Sequence, residues 1–218
     1  MTKIVCISDT HGKEVPDMPD GDILVHTGDY CSRGTYNEFV RFLEWLEFLK
    51  PKYKHIVCIS GNHDRVAESE PDLVATNFAE AGITYLNDSG ATIEGLKFWG
   101  SPVSPEFCNW AFNRNQLEIE EHWNLIPDDT QILLTHCGPF GILDKLSKFG
   151  SEPGAHVGCR SLNKTIFTRL HSLKLNVYGH LHESYGIERD AKYGVAFVNA
   201  SSLNEHYQQT NRPIMVNL

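Results

Sequence analysis

The sequence lacks an excess of positive charge and any long apolar run. Its 218 residues contain 19 Lys and Arg against 28 Asp and Glu, which gives a formal net charge of -9. A general nucleic-acid-binding surface needs a basic face, so this charge balance argues against one. No stretch approaches the roughly 18 consecutive apolar residues that a membrane helix requires, so no membrane segment is expected.

The sequence also lacks paired cysteines and an obvious export signal. Its six cysteines are scattered, and no CxxC pair occurs. The first residues run directly into a strand-like segment, without the apolar core of a signal peptide. Reduced thiols and a cytoplasmic location are therefore expected. The length suits a single domain over residues 1–218, and it leaves the oligomeric state open.

Short aliphatic runs predict a series of buried strands. Each run is followed at once by polar residues that include Asp, Asn or His. In open α/β sheets, ligands bind in the crevice beyond the carboxyl ends of the strands. The pattern therefore predicts an α/β fold with a site at these ends. The five runs lie at 3–8, 22–26, 55–59, 131–135 and 175–178.

The segments between these strands carry helix signals. Thr35 and Glu38 form a capping-box pattern, and apolar residues then recur at helical spacing as far as Pro51. Other helices are predicted at 71–81, 116–125 and 161–173.

Several further elements are predicted outside the helices. A hairpin is expected at 91–99, and strands at 195–199 and 214–216 are expected to complete a second sheet. Residues 101–115 show no periodicity but are rich in aromatic side chains. They are predicted to form a packed surface loop, called the aromatic loop below.

The polar strand ends carry side chains that bind metal ions. Carboxylate, amide oxygen and imidazole groups suit a borderline divalent metal. Their number exceeds what one ion takes, so two ions are predicted. Two neighbouring cations need a bridging carboxylate, and Asp29 is the lone carboxylate at its strand end. The DxH and HxH spacings predict that both members of each pair face the metals from an extended segment. The candidates are Asp9, His11, Asp29, Asn62, His63, Asp64, His136, His180 and His182.

Five motifs resemble those of the calcineurin-like metallophosphoesterase superfamily, in the same order. The runs at 6–12 (CISDTHG) and 179–186 (GHLHESYG) look most like the MPPED subgroup of metal-dependent phosphodiesterases. The resemblance implies a four-layer α/β/β/α sandwich of two mixed sheets. The motifs are Asp9-Thr10-His11, Gly28-Asp29, Gly61-Asn62-His63-Asp64, Thr135-His136 and Gly179-His180-Leu181-His182.

The same resemblance implies a ligand set for two divalent ions, with manganese favoured and iron, zinc, cobalt or nickel as alternatives. His63 would face the substrate instead of a metal. The first ion would take Asp9, His11, Asp29 and His182, and the second Asp29, Asn62, His136 and His180.

These residues suggest a metal-dependent phosphoric ester hydrolase that cleaves phosphodiesters. A hydroxide bridging the two ions would attack phosphorus, and His63 would protonate or stabilise the leaving oxygen. Asp64 is predicted to pair with His63 and to raise the pKa of its imidazole. The substrate would be a small phosphoester, with cyclic nucleotides among the candidates.

Three side chains are candidates for substrate contacts. Residues 28–34 look like the GDxxDRG motif of serine/threonine protein phosphatases, although Ser32 replaces its second Asp, and this makes Arg33 a candidate phosphate ligand. Trp110 could stack on a nucleobase or simply pack the aromatic loop onto the body, and Arg114 lies in the same loop. Two alternatives stay open: a phosphomonoesterase acting on protein, and a non-enzymatic interaction module on this fold.

Overall fold

A computed structural model describes residues 1–146 and 154–218 of the chain. The strands are β1 Lys3–Ile7, β2 Ile23–Thr27, β3 His55–Ile59, β4 Thr84–Tyr85, β5 Ser89–Ile93, β6 Leu96–Ser101, β7 Ser104–Pro105, β8 Asn113–Arg114, β9 Ile132–Thr135, β10 Leu175–Tyr178, β11 Gly186–Arg189, β12 Ala196–Asn199 and β13 Ile214–Asn217. The helices are α1 Tyr36–Leu49, α2 Arg65–Ser69, α3 Pro71–Glu80, α4 Gln116–Asn124 and α5 Arg160–Thr168.

Most strands belong to two mixed sheets. The first has the order β13-β1-β2-β3-β4, and the second has the order β11-β12-β10-β9-β6-β5. Strands β1 to β4 run parallel, as do β6, β9, β10 and β12. The last strand was predicted in the second sheet, and this was wrong: β13 pairs antiparallel with β1, with Lys3 opposite Asn217. A short apolar pattern predicts a strand without specifying its partner.

Alternation along the strands divides the core into layers. In β1, Val5 and Ile7 pack with the residues of α1 and α3, whereas Ile4 and Cys6 pack against the second sheet. Successive side chains of a strand point to opposite faces, so one strand serves two core layers. The outer face of the second sheet packs against α4 and α5 around Trp123. The predicted four-layer α/β/β/α sandwich is confirmed.

Local signals explain the helix bounds. The capping box before α1 is formed, since Thr35 Oγ1 accepts the Glu38 amide and the Glu38 carboxylate accepts the Thr35 amide. The short helix α2 was not predicted, and α5 ends at Thr168 instead of 173. The aromatic loop is less irregular than predicted, because β7 and β8 pair in parallel within it.

None of the described helices is both long and apolar enough to cross a membrane. The six cysteines are free thiols, and all are buried except Cys108. The glycine-containing sequence at 140–160 predicts a loop, and residues 147–153 of that range lie outside the described part of the chain.

Candidate metal centre

The carboxyl ends of strands from both sheets meet at one place. Asp9, Asp29 and Asn62 follow β1, β2 and β3 of the first sheet, whereas His136 and His180 follow β9 and β10 of the second. All five lie at the carboxyl ends of parallel strands, which is where ligands bind in open α/β sheets. The candidate site therefore lies between the two sheets.

Asp29 lies at the middle of this cluster. Its Oδ2 is 3.4 Å from His136 Nε2 and 3.8 Å from His11 Nε2. Its Oδ1 accepts the backbone amide of His63 at 2.7 Å, which fixes the orientation of the carboxylate. One buried carboxylate thus faces an imidazole from each sheet. The carboxylate therefore lies where it could be shared by cations bound on its two sides.

Asp9 organises one side of the cluster. Its Oδ1 lies 3.3 Å from His182 Nε2, and the His180 amide donates to the same carboxylate at 3.0 Å. Ser201 Oγ donates to Asp9 Oδ2 at 3.0 Å. Ser201 was not among the candidates, although it follows the parallel strand β12. Ser201 would have been a candidate if polar residues after β12 had been considered together with those after the other parallel strands.

Asn62 organises the other side. Its Oδ1 lies 2.9 Å from His136 Nε2 and 2.8 Å from His180 Nδ1. The amide oxygen therefore joins two imidazoles on the side of Asp29 that faces the second sheet. These residues form a second group of donors beside the first.

Backbone carbonyls orient three of the imidazoles. In each of them Nδ1 donates to a main-chain oxygen, which directs Nε2 toward the cluster. Such partners are typical of metal-ligating histidines, because they fix the tautomer and the direction of the ring. The pairs are His11 with Cys31 at 3.2 Å, His136 with Thr27 at 2.9 Å, and His182 with Asn204 at 3.0 Å.

The backbone at the site is not extended, so the rationale given for the DxH and HxH pairs is wrong. Asp9, His11, Asp29 and His180 have φ angles of 51°, 45°, 55° and 68°. These are left-handed conformations that non-glycine residues rarely adopt, and such strain concentrates at functional sites. His182 lies in a single 3₁₀ turn. Sharp turns, and not strand alternation, bring the side chains of each pair together.

Two glycines leave space for the clustered side chains. A Cβ on Gly179 would overlap Asp9 Oδ2, and one on Gly61 would lie 2.5 Å from Asp29 Oδ1 and from His136 Cε1. Neither position could carry a side chain without displacing a donor. The glycines in the GNHD and GHLH motifs therefore have a packing role at the site.

Asp64 does not pair with His63, so that prediction is wrong. Its buried carboxylate accepts the backbone amides of Asp29 at 2.8 Å, Cys31 at 2.8 Å and Gly61 at 2.7 Å. Burial and the neighbouring Asp29 raise the pKa of Asp64, and the amide donors act in the opposite direction. Asp64 points into the turn because these amides need an acceptor there.

His63 is held by other groups. Its Nδ1 donates to the Ser32 carbonyl at 2.8 Å, and its ring lies edge-on to His11 with centroids 4.6 Å apart. Its ring also stacks on Trp110, with centroids 4.2 Å apart and an interplanar angle of 28°. The Arg65 guanidinium lies 4.8 Å from the centroid of the same Trp110 ring. His63 is therefore held through Nδ1 and through its ring contacts.

Electrostatics at the site lower the pKa of two of the clustered imidazoles and raise that of His136 and His182. Burial lowers the pKa of His11 to about 4, and burial together with His136 lowers that of His180 to about 4. Burial also acts against a charged His136, but the charge and hydrogen bond of Asp29 outweigh it and raise the pKa to about 9. A cation bound beside Asp29 would take the place of that proton, since metal binding requires a neutral imidazole.

The donor set fits divalent cations. Two carboxylates are buried here, and among the described residues no Lys or Arg pairs with either of them. Buried charges of this kind need a partner or a metal. Three overlapping groups have ligand atoms within 4.8 Å of one another, and one of them includes His63: Asp9 with His11 and His182, His11 with Asp29 and His63, and Asp9 with Asp29 and His136.

A cleft of about 490 Å³ opens above the cluster, and Trp110 lines it. Arg33 is exposed and is not among the described lining residues. Arg114 is also outside the lining and pairs with Glu68 at 3.1 Å. Of the three predicted substrate contacts, the structure brings only Trp110 to the cleft.

The fold and the donor cluster define a metal-dependent phosphoesterase. The chain belongs to the calcineurin-like phosphoesterase family, whose family model matches residues 2–184. Members of this family use divalent metal ions, and membership indicates hydrolase activity on phosphoesters. The predicted family is thereby confirmed.

Individual relatives agree with this assignment. Metallophosphoesterase domain-containing protein 1 of Homo sapiens is 37% identical over an alignment 241 positions long, which covers 100% of this chain and 71% of the human protein. The Mus musculus protein of the same name gives the same values. The crystal structure of TT1561 of Thermus thermophilus has a TM-score of 0.62 at 15% identity, with 91% of this chain and 88% of that chain covered. The last likeness supports the fold alone.

Proposed function

We propose that the protein is a phosphodiesterase that uses two divalent metal ions. One observation carries the proposal: the Asp29 carboxylate lies between an imidazole of each sheet, 3.4 Å from His136 and 3.8 Å from His11. A carboxylate between two donor groups is what a pair of adjacent cations needs. Manganese is favoured, and iron, zinc, cobalt and nickel remain alternatives for the same donors.

The residues divide into two ligand groups that share Asp29. When bound, the ions supply positive charge for the phosphoryl oxygens and lower the pKa of a water toward neutrality. The carbonyls behind the imidazoles keep Nε2 directed at the cluster, and this favours binding without rearrangement. The first group is Asp9, His11, Asp29 and His182, and the second is Asp29, Asn62, His136 and His180.

His63 acts on the leaving group in this proposal. The Ser32 carbonyl holds Nδ1–H at 2.8 Å, so the proton that can move is the one on Nε2. His63 lines the cleft, and the bond that breaks in a phosphodiester leaves negative charge on an alkoxide or aryloxide oxygen. An imidazolium donating from Nε2 neutralises that charge. Asp64 has a positioning role, through the amides of the turn that carries Asn62 and His63.

The described cleft favours a phosphodiester over a phosphomonoester. A monoester carries two negative charges near neutral pH and gains most from extra cationic side chains. Arg33, which would correspond to the phosphate-binding arginine of protein phosphatases, is not among the described lining residues. The alternative of a protein phosphomonoesterase therefore has less support. A non-enzymatic module would need neither a complete donor set nor His63.

A substrate panel tests the proposal. Metal-depleted protein is reloaded with Mn²⁺ and assayed with bis-p-nitrophenyl phosphate, cyclic nucleotides, p-nitrophenyl phosphate and phosphopeptides. We expect the diesters to be hydrolysed with the highest kcat/KM, and two ions per chain by elemental analysis. Faster turnover of the phosphopeptides would show a phosphomonoesterase instead.

His63→Ala separates the chemistry from metal binding. We expect turnover to fall by roughly 10²–10⁴-fold while two ions stay bound. The loss should be larger for a diester with an alkyl leaving group than for a p-nitrophenyl diester, because only the poor leaving group needs a proton. Full activity in His63→Ala, or loss of metal, would end this assignment.

A further inference from the structure

The cleft above the candidate centre has an apolar rim. Phe107, Tyr207 and Val157 line it, and they are 61%, 49% and 41% exposed. Large apolar side chains exposed singly need no explanation, but a group of them around a concave site marks a contact surface. This cluster of Phe107, Tyr207 and Val157 is called the apolar rim below.

The rim is built from three separate segments that are anchored independently. In the aromatic loop, Asn113 Oδ1 accepts the Phe107 amide at 3.2 Å, and Asn113 Nδ2 donates to Ser104 Oγ at 2.9 Å. The Val157 amide donates to the Asp144 carbonyl at 3.1 Å. Backbone contacts therefore hold two of the rim positions, while their side chains face the cleft.

Tyr207 is fixed against the candidate centre itself. Its ring lies edge-on to His11 and to His182, with centroid separations of 5.0 and 5.1 Å. Its carbonyl accepts a hydrogen bond from Lys13 Nζ. The apolar rim is thus continuous with the proposed metal ligands, so a group attached to a bound phosphate would lie along it.

The charges of the cleft restrict what that group can be. The described lining residues include Glu106 and Glu183 and contain no Lys or Arg. A substituent carrying its own phosphate or carboxylate would meet the Glu106 carboxylate there and no Lys or Arg among the described lining residues. A negatively charged substituent would be repelled by the carboxylate and would find no cationic partner among these residues. An uncharged flat ring would meet neither penalty.

We propose that the apolar rim is a subsite for the ester substituent that is retained on the phosphate, and that this substituent carries an uncharged, flat ring. This inference rests on the proposed phosphodiesterase function. The leaving oxygen belongs beside His63, whose ring is already covered by Trp110. With the leaving oxygen there, the second substituent of the diester is the one left to contact Phe107, Tyr207 and Val157. A phenyl group and a nucleobase share this chemistry.

A matched set of p-nitrophenyl diesters tests the subsite. The methyl, phenyl and thymidine 5′ esters of p-nitrophenyl phosphate all release p-nitrophenolate and differ only in the retained group. Each kcat/KM with Mn²⁺-loaded protein is divided by the rate of hydrolysis in hydroxide, which removes differences in intrinsic reactivity. We expect the phenyl and thymidine esters to exceed the methyl ester by roughly tenfold.

Substitutions then assign that preference to the rim. In Phe107→Ala the preference for phenyl over methyl should fall by roughly three- to tenfold, and Phe107→Leu should show a smaller fall. Val157→Ala should reduce the preference in the same direction. Phe48→Ala is the matched control, because Phe48 is also an exposed phenylalanine, at 77%, but lies on α1 outside the cleft lining. Its preference should equal that of the wild type.

The outcomes distinguish a failure of the subsite from a failure of the proposed phosphodiesterase function. Equal rates for the three esters, or an undiminished preference in both Phe107→Ala and Val157→Ala, would overturn the subsite and leave the phosphodiesterase intact. A preference for phenyl without one for thymidine would restrict the occupant to simple aryl groups and would overturn the nucleobase as a ligand. If none of the diesters is hydrolysed, the proposed function fails and the subsite fails with it.

Discussion

Backbone strain at single residues distinguishes the candidate centre from the surrounding core. His180 has a φ of 68°, a left-handed conformation that costs a residue with a Cβ about 1–2 kcal/mol and costs glycine almost nothing. His180→Ala removes the imidazole but keeps the strain, whereas His180→Gly removes both. In metal-free protein we therefore expect His180→Gly to exceed His180→Ala in free energy of unfolding by roughly 0.5–1 kcal/mol, measured by urea denaturation.

The opposite order is expected at an ordinary helical position. Glu44 is an exposed residue within α1, where glycine is less stable than alanine by about 1 kcal/mol. If His180→Ala were as stable as His180→Gly, strain at this position would not be part of the site.

Asp64 supports the strand-end turn through its three amide partners. Asparagine has the same shape but only one acceptor oxygen, so Asp64→Asn leaves at least one buried amide facing an NH₂ group. We expect the free energy of unfolding to fall by roughly 1.5–3 kcal/mol, and metal content to fall with it. Urea denaturation and elemental analysis measure the two effects.

The kinetic signature of Asp64→Asn separates this role from the one predicted from sequence. A partner that raised the basicity of His63 would, when neutralised, reproduce the leaving-group dependence of His63→Ala. A positioning residue would lower the activity toward alkyl and aryl leaving groups by the same factor, once rates are normalised to bound metal. A His63-like dependence in Asp64→Asn would contradict the geometry seen here.

At the level of elements, Gly179 joins β10 of the second sheet to Asp9 of the first. A Cβ there would overlap Asp9 Oδ2 and would lie 2.7 Å from the Ser8 Cβ, so the two strand ends could not approach as they do. We expect Gly179→Ala to lose roughly 1–3 kcal/mol of stability by overpacking and to lose metal as well. Thermal denaturation and metal analysis of the purified variant measure both.

Gly95 supplies the control for this substitution. It lies at the turn between β5 and β6 with a φ of 75°, and a Cβ there meets nothing within 4 Å. Gly95→Ala should therefore cost only the left-handed strain, about 1 kcal/mol, with metal content unchanged. Unaltered metal content in Gly179→Ala would show that the close approach of the strands is not required for the centre.

Elements with local signals could be predicted from the sequence, and those set by distant partners could not. The helix α1 has its capping box within four residues, Thr35 to Glu38, and the prediction is confirmed. The final strand carries the same kind of apolar pattern whichever sheet it joins, and β13 was assigned to the wrong one. Pairing with β1 depends on where the chain returns after β12, which the pattern at 214–217 does not encode.

The same distinction applies to the site. The residue types and their order at strand ends were enough to identify every side chain now found in the donor cluster. The hydrogen-bond partners of the side chains at the site could not be predicted in the same way. Asp64 follows His63 in sequence, but the left-handed turns direct its carboxylate to backbone amides of residues 29 and 31 instead. Ser32 contributes a carbonyl, which any residue type could supply, so nothing in the sequence identifies it.

At the scale of the whole molecule, the candidate centre joins two sheets whose facing sides pack largely through apolar side chains. Asp9, His11, Asp29 and Asn62 come from the first sheet, whereas His136, His180 and His182 come from the second. Bound ions would therefore add bonds across the central layer of the sandwich. Ligands that bind only the folded state stabilise it by an amount that rises with the logarithm of their free concentration over Kd, so metal binding and global stability should be linked.

Chelation measures that linkage. Each ion present at a free concentration one hundred times its Kd adds about 2.7 kcal/mol to the free energy of unfolding. For a chain of 218 residues, each kcal/mol moves Tm by roughly 2–4 °C. We expect removal of two ions with EDTA to lower Tm by roughly 10 °C or more, and added Mn²⁺ to restore it.

Two variants show whether this shift comes from the proposed ligands. Asp29→Ala removes the carboxylate that lies between His11 and His136 and that both proposed ligand groups share, so its Tm should respond little to EDTA. His63→Ala leaves all seven proposed ligands in place, so its Tm should respond as the wild type does, even though its turnover is low. An EDTA-sensitive Tm in Asp29→Ala would mean that the stabilising ions bind elsewhere. A lost response in His63→Ala would make His63 a ligand, as its place beside His11 and Asp29 also permits.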